Sequence, residues 1–558
     1  MDSREFDIVV FGATGITGKY VFEELARVAK QENIKYALAA RSENKLKATI
    51  EESKKYIQSE GETIDDVPII IADINDENSI IEMCKRTKVI LNCAGPYIFH
   101  GEIVIKSCIA AGTHHIDVSA ESIYLEEMQL KYHEEAIQKG IYVLGACGFS
   151  SIPSEMGLSL IKKKFQGDLN SVETYLQFHE NPQGKIVNAG ILKSMIYNFL
   201  NRNKIGDIRK RLNDKIFKKF PNYSHLLKKR PIAFKSEVTN RWCLPYPACD
   251  KTVAIRSQLF NYNYKNERAV QINTYFMSTL FNFFLTIIMA FIFFVFLNFK
   301  LGRQLLKSIN LHESTDITQK FKESAPTEAN IRLSVTKFER MGNVHDVQRS
   351  ERPTIPDKTI QRAETAITES TSSFRIMNCA TIAPPSMREP SLQTCNVSGC
   401  YISWKKERGL CHLPRYVSRS LKDYGTRGSD GQRVSHDLQK YPKVFTLGLF
   451  QEGGPTRQQL KESTFNIVYW ADGWNDKLEI DQKHTEPPNK FMKVVLNAPN
   501  AALLTTSLCM VQAGIVCLKE TENMPGSGGV LTPGAAFENT SLLERLQKFG
   551  MEFSIMEK

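Results

Sequence analysis

The sequence predicts an α/β protein built on a Rossmann-type, doubly wound parallel sheet, with a second α+β domain. Three observations predict it. Residues 5–165 alternate short apolar or β-branched runs with charged, helix-like stretches, the texture of βαβ units. The first run, Ile8 to Phe11, is continuously apolar, as a strand covered on both faces should be. A glycine turn, GATGITG, follows it and opens the helix-like segment KYVFEELARVA.

Composition bounds the remainder. The chain has 558 residues, 42% hydrophobic and 24% charged, which excludes a wholly disordered chain, a collagen and a polytopic transporter. Its net charge of +11 is mild for the length and argues only weakly for nucleic acid or an anionic membrane. No nucleic-acid partner is expected, and homo-oligomerisation stays open. Twelve cysteines are scattered without a disulfide frame. The N-terminus, MDSREFDIVVF, runs straight into a strand with no signal peptide, so reduced thiols in a cytosol-facing protein are expected. Cys395, Cys400, Cys411 and His412 lack a CxxC pair, and no metal site is assigned.

The elements are read in order. Residues 1–150 form the nucleotide-binding domain, with strands in FDIVVF, KYALAA, VPIIIA, KVILN, HHIDVS and IYVLGA. Residues 151–268 begin the α+β substrate domain, and the basic section Arg209 to Arg230 reads as a solvated helix face. Residues 269–307 form a hydrophobic membrane or lipid-droplet segment. No charged side chain occurs from 269 to 299, and the run Phe276 to Phe299 is long enough for a bilayer-crossing helix. Lys265 and Arg268 flank it on one side, Lys300, Arg303 and Lys307 on the other, so charge gives no orientation and leaves span, hairpin and interfacial insertion open. Residues 308–441, rich in Ser, Thr, Pro and Arg, read as a disordered insertion. Residues 442–558 return to globular texture. There FNIVYWADGW reads as a strand, AALLTTSLCMVQAGIVCLKE as an apolar-faced helix and GGVLTPGAAF as a turn.

Cofactor chemistry is assigned to Gly12, Thr14, Gly15, Ile16 and Gly18. Gly12 permits the tight turn, Gly15 lets the backbone approach a pyrophosphate, and Gly18 lets helix and strand pack closely. The second strand ends in Ala40-Arg41-Ser42, where a guanidinium suits a 2′-phosphate better than a bare ribose. NADP is therefore favoured, with NAD as the alternative. Asp73, after the third strand, is either an adenine contact or a helix cap. Cys93, Ala94, Gly95 and Pro96 follow the fourth strand and leave room for the nicotinamide ribose.

Candidate proton carriers lie at the strand ends. Tyr97 could hydrogen-bond a substrate oxygen or simply pack. His115 and Asp117 share a strand face, as an acid/base pair or a structural contact. Glu121 opens the next helix as an acid or a cap.

Taken together, GATGITG, ALAARSENKL, LNCAGPY, HHIDVSAE, CGFSSIPSEMG and GGVLTPGAAF resemble the saccharopine dehydrogenase-like oxidoreductases. The resemblance covers about 1–307 and 443–558. It implies a Rossmann domain, a second α+β domain completed by the returning C-terminal segment, and residence on lipid droplets or other intracellular membranes. The family is similar to bacterial trans-acting enoyl reductases, which reduce double bonds of lipid intermediates. The expected function is thus an NADP-dependent oxidoreductase acting on a lipid or lipid-linked substrate at such a surface. The alternative is a non-catalytic cofactor-binding membrane protein. One departure favours the alternative: the family usually reads GFDSIP, and this chain has Ser150 in place of the carboxylate.

Overall fold

The computed structural model describes residues 4–61, 64, 66–179, 187–188, 201–279, 283, 450–451 and 455–557. Most of the apolar run, all of 308–441 and the Cys395–His412 cluster lie outside the described residues.

The first sheet is built from β1 (Phe6–Phe11), β2 (Tyr36–Ala40), β3 (Ile69–Ile71), β4 (Thr87–Asn92), β5 (His114–Asp117) and β6 (Tyr142–Leu144). The crossovers are α1 (Ile16–Ala29), α2 (Glu43–Ser59), α3 (Glu77–Lys85), α4 (Tyr97–Ala111) and α5 (Ser122–Gln138). All six strands read from the sequence are present. Their order, β6-β5-β4-β1-β2-β3, is parallel throughout, and the order reverses beside β1. Ligands bind such sheets at the carboxyl ends of the strands, at that switch point. Ile8, Val9 and Val10 are fully buried, which accounts for their continuous apolarity.

The second sheet takes its strands from both halves of the sequence. After α6 (Ile152–Lys164) come β7 (Asp168–His179), β8 (Val187–Asn188), α7 (Ile205–Lys215), β9 (Phe234–Lys235), β10 (Trp242–Pro245), α8 (Asp250–Phe260) and β11 (Gln271–Ser278). The chain is described again at β12 (Phe450–Gln451), α9 (Arg457–Glu462), β13 (Thr464–Trp474) and β14 (Lys490–Pro499). It ends with α10 (Thr506–Lys519), β15 (Gly529–Leu531), α11 (Pro533–Phe537), α12 (Leu542–Lys548) and β16 (Glu552–Glu557). The sheet order is β16-β14-β13-β7-β11-β10-β9, mixed, with β7 and β11 parallel. β8 and β12 form a separate parallel pair.

Three differences from the expectation have physical causes. First, the apolar stretch from 269 begins inside the second sheet, because residues Gln271–Ser278 hydrogen-bond to β7 and β10 as a strand. Second, the basic section is helical only to Lys215, and its remainder runs as an irregular segment toward β9. Third, GGVL is a strand and not a turn: β15 pairs with β6 in parallel, Val530 opposite Val143, and closes the edge of the first sheet. A three-residue strand with two glycines gives no local periodicity, so only its distant partner defines it.

The C-terminal segment therefore completes both sheets. α10 packs on α1, β4 and β5. The stretch Ala501–Lys519 is the one segment among the described residues long and apolar enough to cross a membrane, yet 83% of its most apolar window is buried inside the protein. It is a core helix, apolar all round because it is surrounded.

Candidate cofactor site

The site starts from the glycine turn. Gly12 has φ +81°, and an added Cβ would stand 2.9 Å from the Ala94 amide nitrogen, so both conformation and space demand glycine. A Cβ on Gly18 would lie 2.3 Å from the Gly12 carbonyl oxygen. That closeness brings the start of α1 against the end of β1. Gly15 occupies the N-cap position of α1, and no side chain caps the helix. The first-turn N–H groups of α1 thus lack a side-chain cap from the protein, the arrangement that receives a phosphate. Gly15 is exposed, while Thr14 and Ile16 beside it are half-buried.

Neighbouring strand ends are tied to this turn. The amides of Gly12 and Ala13 both donate to the Ala39 carbonyl, at 2.8 and 3.3 Å. Arg41, two residues on, is exposed at the lip of the crevice. Ser42 caps α2 by accepting from the Lys45 amide. Asp73 is half-buried, and its Oδ1 accepts from the Asn75 amide at 3.0 Å and the Asn75 side chain at 3.1 Å. The cap of α3 is Asp76, so the helix-capping role considered for Asp73 belongs three residues later.

Residues 92–97 form the far wall. The Cys93 amide donates to the Phe11 carbonyl at 2.8 Å, tying the end of β4 to that of β1. Asn92 is fully buried. Its Oδ1 accepts from the Ala94 amide at 3.0 Å, and its Nδ2 lies 3.2 Å from His115 Nε2. With Asn92 donating, His115 is neutral at Nε2, and burial holds its pKa below the ordinary value against the opposing pull of Asp117. Gly95 and Pro96 lead into α4, and Pro96 is its N-cap residue. Cys93 is half-buried, its sulfur 3.6 Å from that of Met510 on α10, and burial pushes its thiol pKa up. Thr506, also on α10, accepts from the Phe149 amide at 3.3 Å. The last sixty residues thus wall the crevice, which the sequence had not indicated.

The proton-carrier candidates are brought together, but not as free acids. Tyr97 donates to the Asn92 carbonyl at 2.9 Å and stacks on Tyr124 with ring centroids 5.9 Å apart. Burial pushes the pKa of both phenols well up. Asp117 accepts at Oδ1 from the Ser119 amide and hydroxyl, at 3.0 and 2.6 Å, and from the Ala146 amide at 3.3 Å. Its Oδ2 accepts from the Tyr124 hydroxyl at 3.0 Å. His115 and Asp117 share a strand face, and each is held by other partners. Glu121 is buried at the N-cap position of α5 but makes no side-chain cap, which corrects its capping role. In this arrangement Tyr97 and Asp117 each have their hydrogen-bonding groups engaged within the protein.

Ala146, whose φ is +59° and which is buried, bonds directly to Asp117. A non-glycine residue in that region is uncommon and held by its surroundings. Ser150 follows in the same turn, half-buried, and its carbonyl accepts from the Cys249 thiol at 3.5 Å. Asn92, Ser119, Tyr124 and Ala146 had no local signature. Only Asn92, at a strand end within LNCAGPY, sat where one could have been sought. Among the described residues no cluster of His, Cys, Asp and Glu could hold a metal ion.

Residues 8–144 match the saccharopine dehydrogenase NADP binding domain. The human saccharopine dehydrogenase-like oxidoreductase is 29% identical over an alignment of 562 positions, covering 100% of this chain and 98% of the relative. Over its whole length the chain is similar to the saccharopine dehydrogenase-like oxidoreductases. A second relative, from Caenorhabditis elegans, is named lipid droplet localized protein and is 26% identical, covering 99% of this chain and 98% of that one. Among solved structures, the apo saccharopine dehydrogenase (L-Glu forming) of Saccharomyces cerevisiae is 12% identical with a TM-score of 0.43, covering 99% and 100% of the two chains. The cofactor domain matched over residues 8–144 is an NADP-binding one, and the uncapped α1, Gly12 and Gly18 fit that group.

Proposed function

We propose that the protein is an NADP-dependent oxidoreductase acting on a lipid or lipid-linked substrate at a cytosol-facing membrane or lipid-droplet surface. The observation that carries the reading is the cradle at the carboxyl edge of the first sheet: Gly12 against Ala94, uncapped α1, and Arg41 at the lip. Bound NADPH would supply the hydride. Arg41 reads the 2′-phosphate, Thr14 and Ile16 flank the pyrophosphate turn, and Asp73 borders the adenine. Cys93, Ala94, Gly95 and Pro96 bound the nicotinamide side. Tyr97 and Asp117 position that wall, and Glu121 is the side chain proposed to hold the proton. The lipid assignment is supported by the uncharged sequence that follows β11, 279–299, and by the name of the worm relative.

A second reading, cofactor binding without catalysis, is favoured by the pairing of Tyr97 and Asp117 and by Ser150. Calorimetry with detergent-purified protein separates the readings in stages. NADPH should bind, and Arg41→Ala should weaken NADPH by about tenfold or more, the worth of a charged hydrogen bond, with little effect on NADH. NADPH oxidation with lipid enones or ketones, lost in Glu121→Gln, then supports catalysis. Binding without turnover of any such substrate supports the second reading, and no binding of either nucleotide removes both.

A further inference from the structure

The segment from Leu226 to Lys235 holds apolar side chains out into solvent. Leu226 is 78% exposed and Ile232 is 80% exposed. Lys228, Lys229 and Lys235 are exposed among them, and the sequence from 225 to 236 contains no acidic residue. None of these three lysines has an ion pair among the described residues.

Each projecting side chain follows a pinned piece of backbone. The Leu227 amide donates to Gln271 Oε1 at 2.8 Å, and Gln271 Nε2 donates to the His225 carbonyl at 2.6 Å, so the backbone is held on both sides of Leu226. Arg230 makes a two-pronged pair with buried Glu173 on β7, at 2.9 and 2.6 Å, two residues before Ile232. Phe234 and Lys235 then enter the second sheet as β9. The segment is a rim tied to Gln271 of β11 at one end and joined to β10 as β9 at the other. It ends beside the point where the chain enters its uncharged run: Lys235, Trp242 and Ser278 stand in one row across β9, β10 and β11. Phe283, four residues into the run from Thr279, packs its ring 5.1 Å from that of Trp242.

We infer that this rim is a contact surface for anionic phospholipid, with Leu226 and Ile232 inserting among acyl chains and Lys228, Lys229 and Lys235 meeting headgroup charge. The inference rests on the lipid-surface reading above and adds the lipid's charge and the residues that meet it. Branched aliphatic side chains between lysines suit an interface of acyl chain and headgroup. A single-stranded nucleic acid would call for aromatic stacking platforms there instead.

The test uses the full-length protein, floated with vesicles of phosphatidylcholine alone or with added phosphatidylserine. The wild type should favour the phosphatidylserine vesicles. Lys228→Glu/Lys229→Glu should lose that preference by about tenfold or more, at about a factor of five per lysine, while still binding neutral vesicles through the apolar run. Leu226→Asn/Ile232→Asn should weaken binding to both. All four side chains are exposed, so NADPH affinity should not change and reports that the fold is intact. Variants that float as the wild type does would overturn the rim and leave the lipid-surface reading standing. A wild type that floats with neither vesicle would overturn both, and equal flotation with both vesicles would overturn the preference for anionic lipid.

Discussion

Gly18 shows how a single missing atom fixes the site. Its Cα faces the Gly12 carbonyl so closely that alanine must push α1 away from β1. Gly18→Ala should cost about 1–3 kcal/mol, the usual range for overpacking, and should weaken NADPH binding along with it. Thermal melts with and without NADPH would separate the two losses. Asp250 and Glu155 act at the same scale by a different route. Both are buried, and burial raises their pKa, to about 8 for Asp250 and about 7 for Glu155. Ser154 donates to Asp250 at 3.1 Å and Ser257 to Glu155 at 2.5 Å, which moderates the rise. A raised folded-state pKa means the folded protein keeps a proton that the unfolded chain has lost. The stability associated with each group is fully present below the unfolded pKa and is lost as pH rises through the folded value. The decline should be up to about 1.4 kcal/mol per pH unit for each group, over roughly pH 4 to 8 for Asp250 and roughly pH 4 to 7 for Glu155. Asp250→Asn should flatten that decline, measured by urea unfolding at a series of pH values. An unchanged slope would show that Asp250 does not titrate in this way.

At the scale of elements, the first sheet was largely legible because its six sequential strands are each marked by apolar runs with turn residues between them. β1 could be read from Ile8 to Phe11 alone. β15 could not, since its pairing with β6 crosses almost 400 residues and leaves no trace in GGVL. The cofactor turn was legible for a similar reason: Gly12, Gly15 and Gly18 sit within one strand–turn–helix unit. The wall made by Thr506 and Met510 was not, because it depends on where α10 docks. Asp117 and Tyr97 were found as candidates, but residue type and strand-end position do not reveal that Ser119, Ala146, Tyr124 and Asn92 take up their hydrogen-bonding groups. An expected consequence is that a fragment of residues 1–150 will not fold. It lacks α10, which covers β4 and β5, and β15, which closes the edge at β6. Circular dichroism and NADPH calorimetry on that fragment would check this. A cooperative melt with native affinity would show that the N-terminal stretch is self-sufficient.

At the scale of the whole molecule, two sheets share one returning segment, and neither is finished until the chain comes back. Partly buried ties run between the ends of the sequence: Arg457 to Glu23 at 2.6 Å, and Arg545 to Glu32 at 2.5 Å. β15 adds a temporal consequence. During synthesis β6 leaves the ribosome long before its partner exists. At about 5–20 residues per second, the interval between Leu144 and Leu531 is about 20–80 s. Throughout that time the edge of β6 offers unpaired backbone groups to any passing strand. The nascent protein therefore has an adhesive period that the finished one does not, and its yield in a cell should depend on elongation rate and on chaperones that shield that edge until the last thirty residues arrive.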